Sequence, residues 1–405
     1  MKLNTKLISL AAAGLMAFSC TNVESQPIKN NPQWVKQAME TVEQHTKNML
    51  PRVLESKQTP RSIERGLRPS RDWTSGFYPG TMWYLYEYTQ DNFWKENAET
   101  VTEFLVEEQY NTDDHDVGFR VYCSYGNGYL LTQNPEYKKV VIQAAKSLST
   151  RFNEKTQTIQ SWSARKSRDW KFPVIIDNMM NLELLFEASK LSGDNHFADV
   201  SVKHANQTMK YHYREDYSCP HVVDYDPETG EFRRMDWNNG FCDPKVAAWS
   251  RGQSWGLYGY TLMFRETKDK KYLDFAEKIA EFLLNHPNMP EDMVPYWDYS
   301  CPKIPTMRDA SAGAIMGSAL LELSTYSKKN GEKYFEAGEK ILKSLASENY
   351  LAKPGTNGDF AIMHTTGNYM GGSEVNGTLS YADYYFTEGL CRYLKLINNQ
   401  PLFKD

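Results

Sequence analysis

T-Q-D-N-F-W, Thr89 to Trp94, decides the fold. A helical pattern runs into Thr89, a short polar turn follows, and an aromatic opens the next helical pattern. The same device recurs as T-Q-N-P-E-Y (132–137), S-G-D-N-H-F (192–197), T-K-D-K-K-Y (267–272) and S-K-K-N-G-E-K-Y (327–334). Its aromatics Phe93, Tyr137, Phe197, Tyr272 and Tyr334 follow one another at intervals of 44, 60, 75 and 62 residues. Turns this short make neighbouring helices antiparallel.

Outward from these turns, 3.6-residue periodicity dominates from residue 33 onward and predicts twelve helical segments. They lie near 33–50, 79–90, 93–110, 119–132, 135–152, 177–192, 194–211, 251–267, 270–285, 309–327, 331–347 and 381–397. Strand-like alternation is confined to short stretches, 220–225 and 231–237. Long segments rich in Gly, Asp and Trp fall on the other connections, at 153–176, 212–250 and 286–308. Tight turns at one end and elaborate loops at the other suit a toroid of helical hairpins with a site at one mouth. A straight solenoid would carry shorter, more regular repeats. The expected fold is all-α, a single-domain (α/α)6 barrel over residues 34–405.

A net charge of -5 offers no basic footprint for nucleic acid and no polybasic membrane patch. Aromatic residues make up 13% of the chain, enough both for a core and for flat apolar platforms against sugar rings. Lys2 and Lys6 precede an apolar stretch, Leu7 to Phe18, that is too short for a comfortable membrane span. It ends in A-F-S-C, like a bacterial lipobox that would make Cys20 a lipidated N-terminus, although an ordinary signal cleaved nearby has a similar pattern. The expectation is a signal peptide over 1–20, a flexible tether over 21–33, and export as a periplasmic or outer-membrane lipoprotein of a Gram-negative bacterium. Membrane contact is expected only through that anchor. The other cysteines, Cys123, Cys219, Cys242, Cys301 and Cys391, show no C-x-x-C; Cys219 and Cys242 could pair in an oxidising compartment.

Asp177 stands in the apolar run V-I-I-D-N-M-M-N-L-E-L-L-F, 174–186. Burial would raise its pKa and suit it to general acid work. Asp is equally a common helix cap, and a cap bonded to backbone N–H groups has its pKa lowered. W-S-R-G-Q-S-W-G (249–256) reads as an S-x-x-Q capping box from Ser250 to Gln253. Arg251 then sits in a first turn, where a cation opposes the helix dipole unless it faces an anionic or hydroxyl-rich ligand. Trp255, four residues on, shares its face and could stack on a sugar, or simply fill the core. D-D-H-D (113–116) could in principle hold a metal, but its spacing matches no EF-hand or zincin pattern, so neither metal nor cofactor is expected.

The set DWTSGFYPG, HDVGF, IIDNMMNL, WSRGQSWG and MRDASAGAI resembles glycoside hydrolase family 88, the unsaturated glucuronyl hydrolases. The resemblance covers nearly the whole chain after the leader and implies an (α/α)6 barrel. It implies that Asp177 is the general acid/base and Asp116 a second essential carboxylate. Trp73, His115, Trp162, His221, Arg251 and Trp255 match positions that line the family's sugar subsite. The G-G-S at 371–373 resembles loosely a loop that holds the substrate carboxylate, through Ser373. One departure is W-N-N-G-F-C-D-P-K (237–245), where some members carry a Gln in a Gly-rich loop.

The implied substrate is a lyase-made oligosaccharide, here a glycosaminoglycan disaccharide, with a 4,5-unsaturated terminal uronic acid. Protonation of its vinyl ether at C4 and attack of water at C5 give a hemiketal that collapses. Competing readings are an unsaturated rhamnogalacturonyl hydrolase, a polysaccharide lyase on the same barrel, and a non-catalytic glycan-binding lipoprotein.

Overall fold

The computed structural model describes residues 29–236, 243 and 245–403. The leader 1–20 with Cys20, most of the tether, Cys242 and most of the 237–245 loop therefore lie outside the described residues. Twelve α-helices are found among the described residues. The first six are α1 (Gln33–Ser56), α2 (Phe77–Thr89), α3 (Asn92–Glu103), α4 (Asn127–Thr132), α5 (Pro135–Ser149) and α6 (Leu182–Ser192). They are followed by α7 (His196–Tyr211), α8 (Ser250–Thr267), α9 (Lys270–Asn285), α10 (Ala310–Ser324), α11 (Gly331–Leu345) and α12 (Ser380–Ile397). No helix among the described residues is long and apolar enough to cross a membrane.

The repeated turn works through two hydrogen bonds. The last-turn hydroxyl of Thr89, Thr132, Ser192 or Thr267 accepts the N–H of the Asp or Asn two residues on, at 3.1–3.3 Å. That Asp or Asn then accepts an N–H from the next helix: Asp91 from Phe93, Asn134 from Glu136, Asp194 from His196, Asp269 from Lys271. Gln90, Gln133, Gly193 and Lys268 supply the left-handed residue that reverses the chain. Each such cap contributes about 1 kcal/mol. The aromatics Tyr137, Phe197, Tyr272 and Tyr334 are buried as expected, but in the first turn Trp94 takes that place and Phe93 stays exposed.

Two kinds of helix alternate. Residues 310–323 of α10 and 250–263 of α8 are buried all round, as expected of inner helices. Helix α9 buries only Tyr272, Ala276, Ile279, Ala280 and Leu283, one stripe, as an outer helix does. Neighbours pack in order: α8 on α10, α10 on α12, and α12 on α2. Asn398, just past α12, accepts the N–H groups of Lys29 (3.1 Å) and Asn30 (2.7 Å) and donates to Asn30 O (2.8 Å).

Three predicted segments differ in detail. Segment 93–110 breaks after α3, and a 3-10 turn covers Val106–Tyr110. Segment 119–132 begins as a wide π-helical stretch, Gly118–Gly126. Helix α6 is led by a 3-10 turn, Ile176–Asn181.

The connections carry short strands. β1 (Thr59–Ser62) pairs with β2 (Gly66–Arg68), and β3 (Phe152–Asn153) with β4 (Thr158–Ile159). A three-stranded antiparallel sheet joins β5 (Phe172–Ile175), β6 (Val222–Tyr225) and β7 (Phe232–Asp236). β6 and β7 are the two strand-like stretches seen in the sequence. β5 was not anticipated: F-P-V-I carries a proline, tolerated here because β5 is an edge strand.

Candidate active site

The β5–β6 register builds the centre of the site. Ile175 lies opposite Val222, and Ile176 N–H donates to His221 O at 3.2 Å. Asp177 and His221 leave the paired strands side by side, and Asp177 Oδ2 lies 3.4 Å from His221 Nε2. No backbone N–H among the described residues donates to the Asp177 carboxylate, and the turn that contains it has no side-chain cap. The capping reading of Asp177 therefore fails.

Asp116 arrives from the connection before the π-helical stretch. His115 Nε2 lies 3.3 Å from Asp116 Oδ1, and its Nδ1 lies 3.2 Å from Asn181 Nδ2. Asn181, one turn beyond Asp177, thus steers His115, a role that no motif in the sequence signals. Gly118 is required here, because a Cβ on it would fall 2.3 Å from Asn181 Oδ1. The rest of D-D-H-D is engaged in ion pairs: Asp113 with exposed Arg71, and Asp114 with both Nη atoms of buried Arg120 at 2.9 Å. No group of three His, Cys, Asp or Glu suited to a metal occurs among the described residues.

The electrostatics reverse one expectation. Burial alone would push Asp177 up, but the contact with His221, its charge, and then His115 and Arg251 hold Asp177 below the ordinary carboxylate value. Asp116 is the raised group, through burial and then the like charge of Asp114, with Asp177 adding to the effect. Burial pushes His115 down to about 4, so its ring is neutral near pH 7. The two side chains keep 12% and 15% exposure, so each reaches the surface of the cleft.

Aromatic rings run outward from this centre. Trp162 meets His221 edge-on at 5.6 Å and stacks on Trp170 at 5.7 Å. On the other side, Trp73 packs against Phe119 at 5.6 Å and Tyr381 at 5.0 Å. Trp73 and Trp162 are only partly buried, and each keeps some surface for a ligand. Trp255 does not: it is fully buried against Phe119 and Tyr385, the core fate of such a residue.

The W-S-R-G-Q motif also differs from its reading. No capping box forms: α8 starts at Ser250, whose hydroxyl donates to Trp297 O at 3.0 Å. Gln253 instead accepts Cys219 N–H at 3.0 Å and donates to Cys219 O at 2.8 Å, pinning the approach to His221. Arg251 is 3% exposed and bonded to Asp309 Oδ2 (2.8 Å), Thr366 O (2.6 Å) and Gly367 O (2.9 Å). It lies over Trp249 at 4.5 Å and Tyr381 at 5.1 Å. Its dipole penalty is offset by this protein network rather than by solvent-facing freedom. Ser373 lies in the loop Arg251 holds, paired with Asn368. Every long connection thus reaches one end of the helix assembly, including 57–76 with Trp73 and 346–379 with Ser373, which the sequence reading had not grouped with the others.

Residues 45–266 match the model of the family described as Glycosyl Hydrolase Family 88. The chain is 46% identical over 333 residues to an unsaturated glucuronyl hydrolase of Formosa agariphila, covering 81% of this chain and 82% of that one. The chain belongs to glycosyl hydrolase family 88. The expected class of enzyme, an unsaturated glucuronyl hydrolase, is thereby borne out. Among solved structures, an unsaturated glucuronyl hydrolase specific for heparin aligns with TM-score 0.85 at 44% identity, covering 92% of this chain and 99% of that one. An Asp→Asn mutant of the Streptococcus agalactiae enzyme, complexed with dGlcA-GalNAc6S, aligns with TM-score 0.74 at 27% identity, covering 89% and 91%.

Proposed function

We propose that this enzyme removes the terminal 4,5-unsaturated glucuronic acid from glycosaminoglycan oligosaccharides cut by a lyase, with Asp177 delivering the proton. The observation that carries the assignment to this cleft is the pair of carboxyls, buried Asp177 and part-buried Asp116, set with His115 and His221 between half-buried tryptophans. The heparin-specific and dGlcA-GalNAc6S-bound relatives support a sulfated disaccharide as substrate.

The chemistry adds one water. Asp177 in its acid form gives a proton to C4, the positive charge develops at C5 beside the ring oxygen, and water attacks C5 while Asp177 takes back a proton. The hemiketal opens and releases the neighbouring sugar. Because His221 holds Asp177 ionised, its proton must come with substrate: the uronate carboxylate, a like charge nearby, raises the pKa of Asp177 as it binds. Burial and the like charge of Asp114 disfavour the ionised form of Asp116, which limits the competing negative charge beside Asp177. Trp73 and Trp162 supply the sugar platforms.

Two further readings go with this one. The hairpins close as an (α/α)6 barrel, supported by α12 packing on both α10 and α2. The leader delivers a lipoprotein anchored through Cys20, supported by the A-F-S-C pattern alone.

The test is consumption of the conjugated double bond, followed as a fall in ultraviolet absorbance. Asp177→Asn should lose about 10^3-fold in kcat while keeping its fold and its affinity for substrate. Undiminished turnover would remove Asp177 from the mechanism; rising absorbance with the wild type would mean a lyase. Turnover only of unsaturated galacturonyl-rhamnose would move the enzyme to pectin fragments. Binding should also take up a proton, seen as a calorimetric heat that depends on the buffer.

A further inference from the structure

In the motif M-R-D-A-S-A-G-A-I, Met307 to Ile315, Asp309 has so far appeared only as one partner of Arg251. We propose that Asp309 is a positioning residue for substrate binding, the fixed point that holds Arg251 and the Ser373 loop in one geometry. The proposal rests on the reading of this cleft as the sugar site.

Asp309 is fully buried and does three jobs at once. Its Oδ1 caps α10 by accepting Ser311 N–H at 3.1 Å. The same oxygen accepts the N–H of Thr366 at 3.3 Å, from the loop between α11 and α12. Its Oδ2 takes the Arg251 Nη1 donor at 2.8 Å, from the start of α8. Arg251 closes the figure by donating to the carbonyls of Thr366 and Gly367. Two helix N-termini and one loop therefore share a single carboxylate.

The loop so held is a narrow hairpin. Thr365 and Gly377 exchange hydrogen bonds at 3.2 and 2.8 Å, and Asn368 and Ser373 at 3.0 and 3.1 Å. Its far strand is moored separately, because Glu374 accepts from Arg61 Nε at 2.9 Å and Nη2 at 2.8 Å, and from Ser62 at 2.8 Å. The near strand depends on Asp309 and Arg251. Arg251 in turn lies against Trp249 and Tyr381, the rings that lead to His221 and to Trp73. A shift of the Arg251 guanidinium would thus move the Ser373 hairpin relative to both tryptophan walls. Asp177 and His221 are placed by the β5–β6 register, and both variants below keep the positive charge at position 251 that helps hold the Asp177 carboxyl down.

That division sets the expected kinetics. Asp309→Asn keeps the α10 cap but removes the charge that orients Arg251, and should raise KM about 10-fold with kcat nearly unchanged, since loss of shared binding acts on KM. Arg251→Lys should show the same split, because one ammonium cannot serve the carboxylate and both carbonyls. Together the two changes should cost less than the product of the single effects. Hydrogen exchange gives a readout independent of turnover: in Arg251→Lys the amides of Thr366, Gly367 and Asn368 should exchange at least 10-fold faster, with α10 still protected.

A fall in kcat at constant KM, or unchanged KM in both folded variants, overturns the proposal. So does a loss of melting temperature with wild-type kinetics, the signature of a merely structural pair. If Asp309→Asn does not fold, Arg251→Lys decides by the same split. A wild type that consumes no double bond would sink the functional reading alone, and the exchange rates would still judge the clamp.

Discussion

Two sets of carboxyls in the interior of the molecule are treated in opposite ways. On α10 and α12, Glu322 and Glu388 are held by arginines. Arg265 reaches Glu322 at 3.0 Å, and Arg392 reaches Glu322 at 3.1 Å and Glu388 at 2.6 Å, with Tyr258 and Ser318 each donating to Glu388 at 2.9 Å. In the turn that leads into α6 and in the connection before the π-helical stretch, Asp177 and Asp116 face histidines instead. A guanidinium keeps its charge at any working pH, whereas an imidazole beside a carboxyl leaves the protonation of both open to change. The arginine-clamped set is built for permanence and the histidine-flanked set for proton traffic.

The comparison breaks most readily at the clamped set. Arg265→Ala should cost about 3–5 kcal/mol of stability by leaving buried carboxylates uncompensated, with kcat of the folded fraction unchanged. Chemical denaturation checks this, and a kcat loss matching that of Asp177→Asn would show that the two sets are not separate. Asp383, on the first turn of α12, is a smaller probe. Burial raises it to about 7 against two backbone donors, Ala361 and Ile362. Its folded pKa lies above the unfolded value, so its contribution is complete below pH 3.8 and is lost as pH rises towards 7. Asp383→Asn should flatten the decline of melting temperature between pH 4 and 7, a difference of about 2–4 kcal/mol.

At the site itself the sign runs the other way from the usual cost of mutation. Asp116→Asn should abolish turnover yet slightly raise the melting temperature at pH 8, because it removes a carboxyl that burial and Asp114 disfavour as an anion. A lower melting temperature would mean that His115 needs the charge. Least of all should follow from the exposed Lys270–Asp274 pair on α9, where Lys270→Ala should leave melting unchanged.

What was legible in the sequence followed from local interactions. In four of the five tight turns the Thr/Ser hydroxyl and the Asx side chain act within four residues, so those hairpins could be read directly. Asp116 and His115 were picked out for this site only by the resemblance of the HDVGF motif, and their place in the fold depends on contacts between distant segments, such as His115 with Asn181. The misreadings came from distant partners. Ser250 and Gln253 fit a capping box by spacing, but Trp297 and Cys219 claimed them. Asp309 lies 58 residues from Arg251, and no local pattern announces the pair. The pKa of Asp177 went the opposite way because His221, 44 residues on, outweighed the burial that the apolar run implied.

The contact of Asn398 with Lys29 and Asn30 has a consequence for orientation. Helix α12 runs about 27 Å from Tyr381, beside Trp73, to its far end, where residue 29 is bound. Residue 29 therefore lies at the end of the molecule opposite Trp73. A surface approaching the molecule at residue 29 would leave the end that bears Asp177 and Trp73 open to glycans in solution.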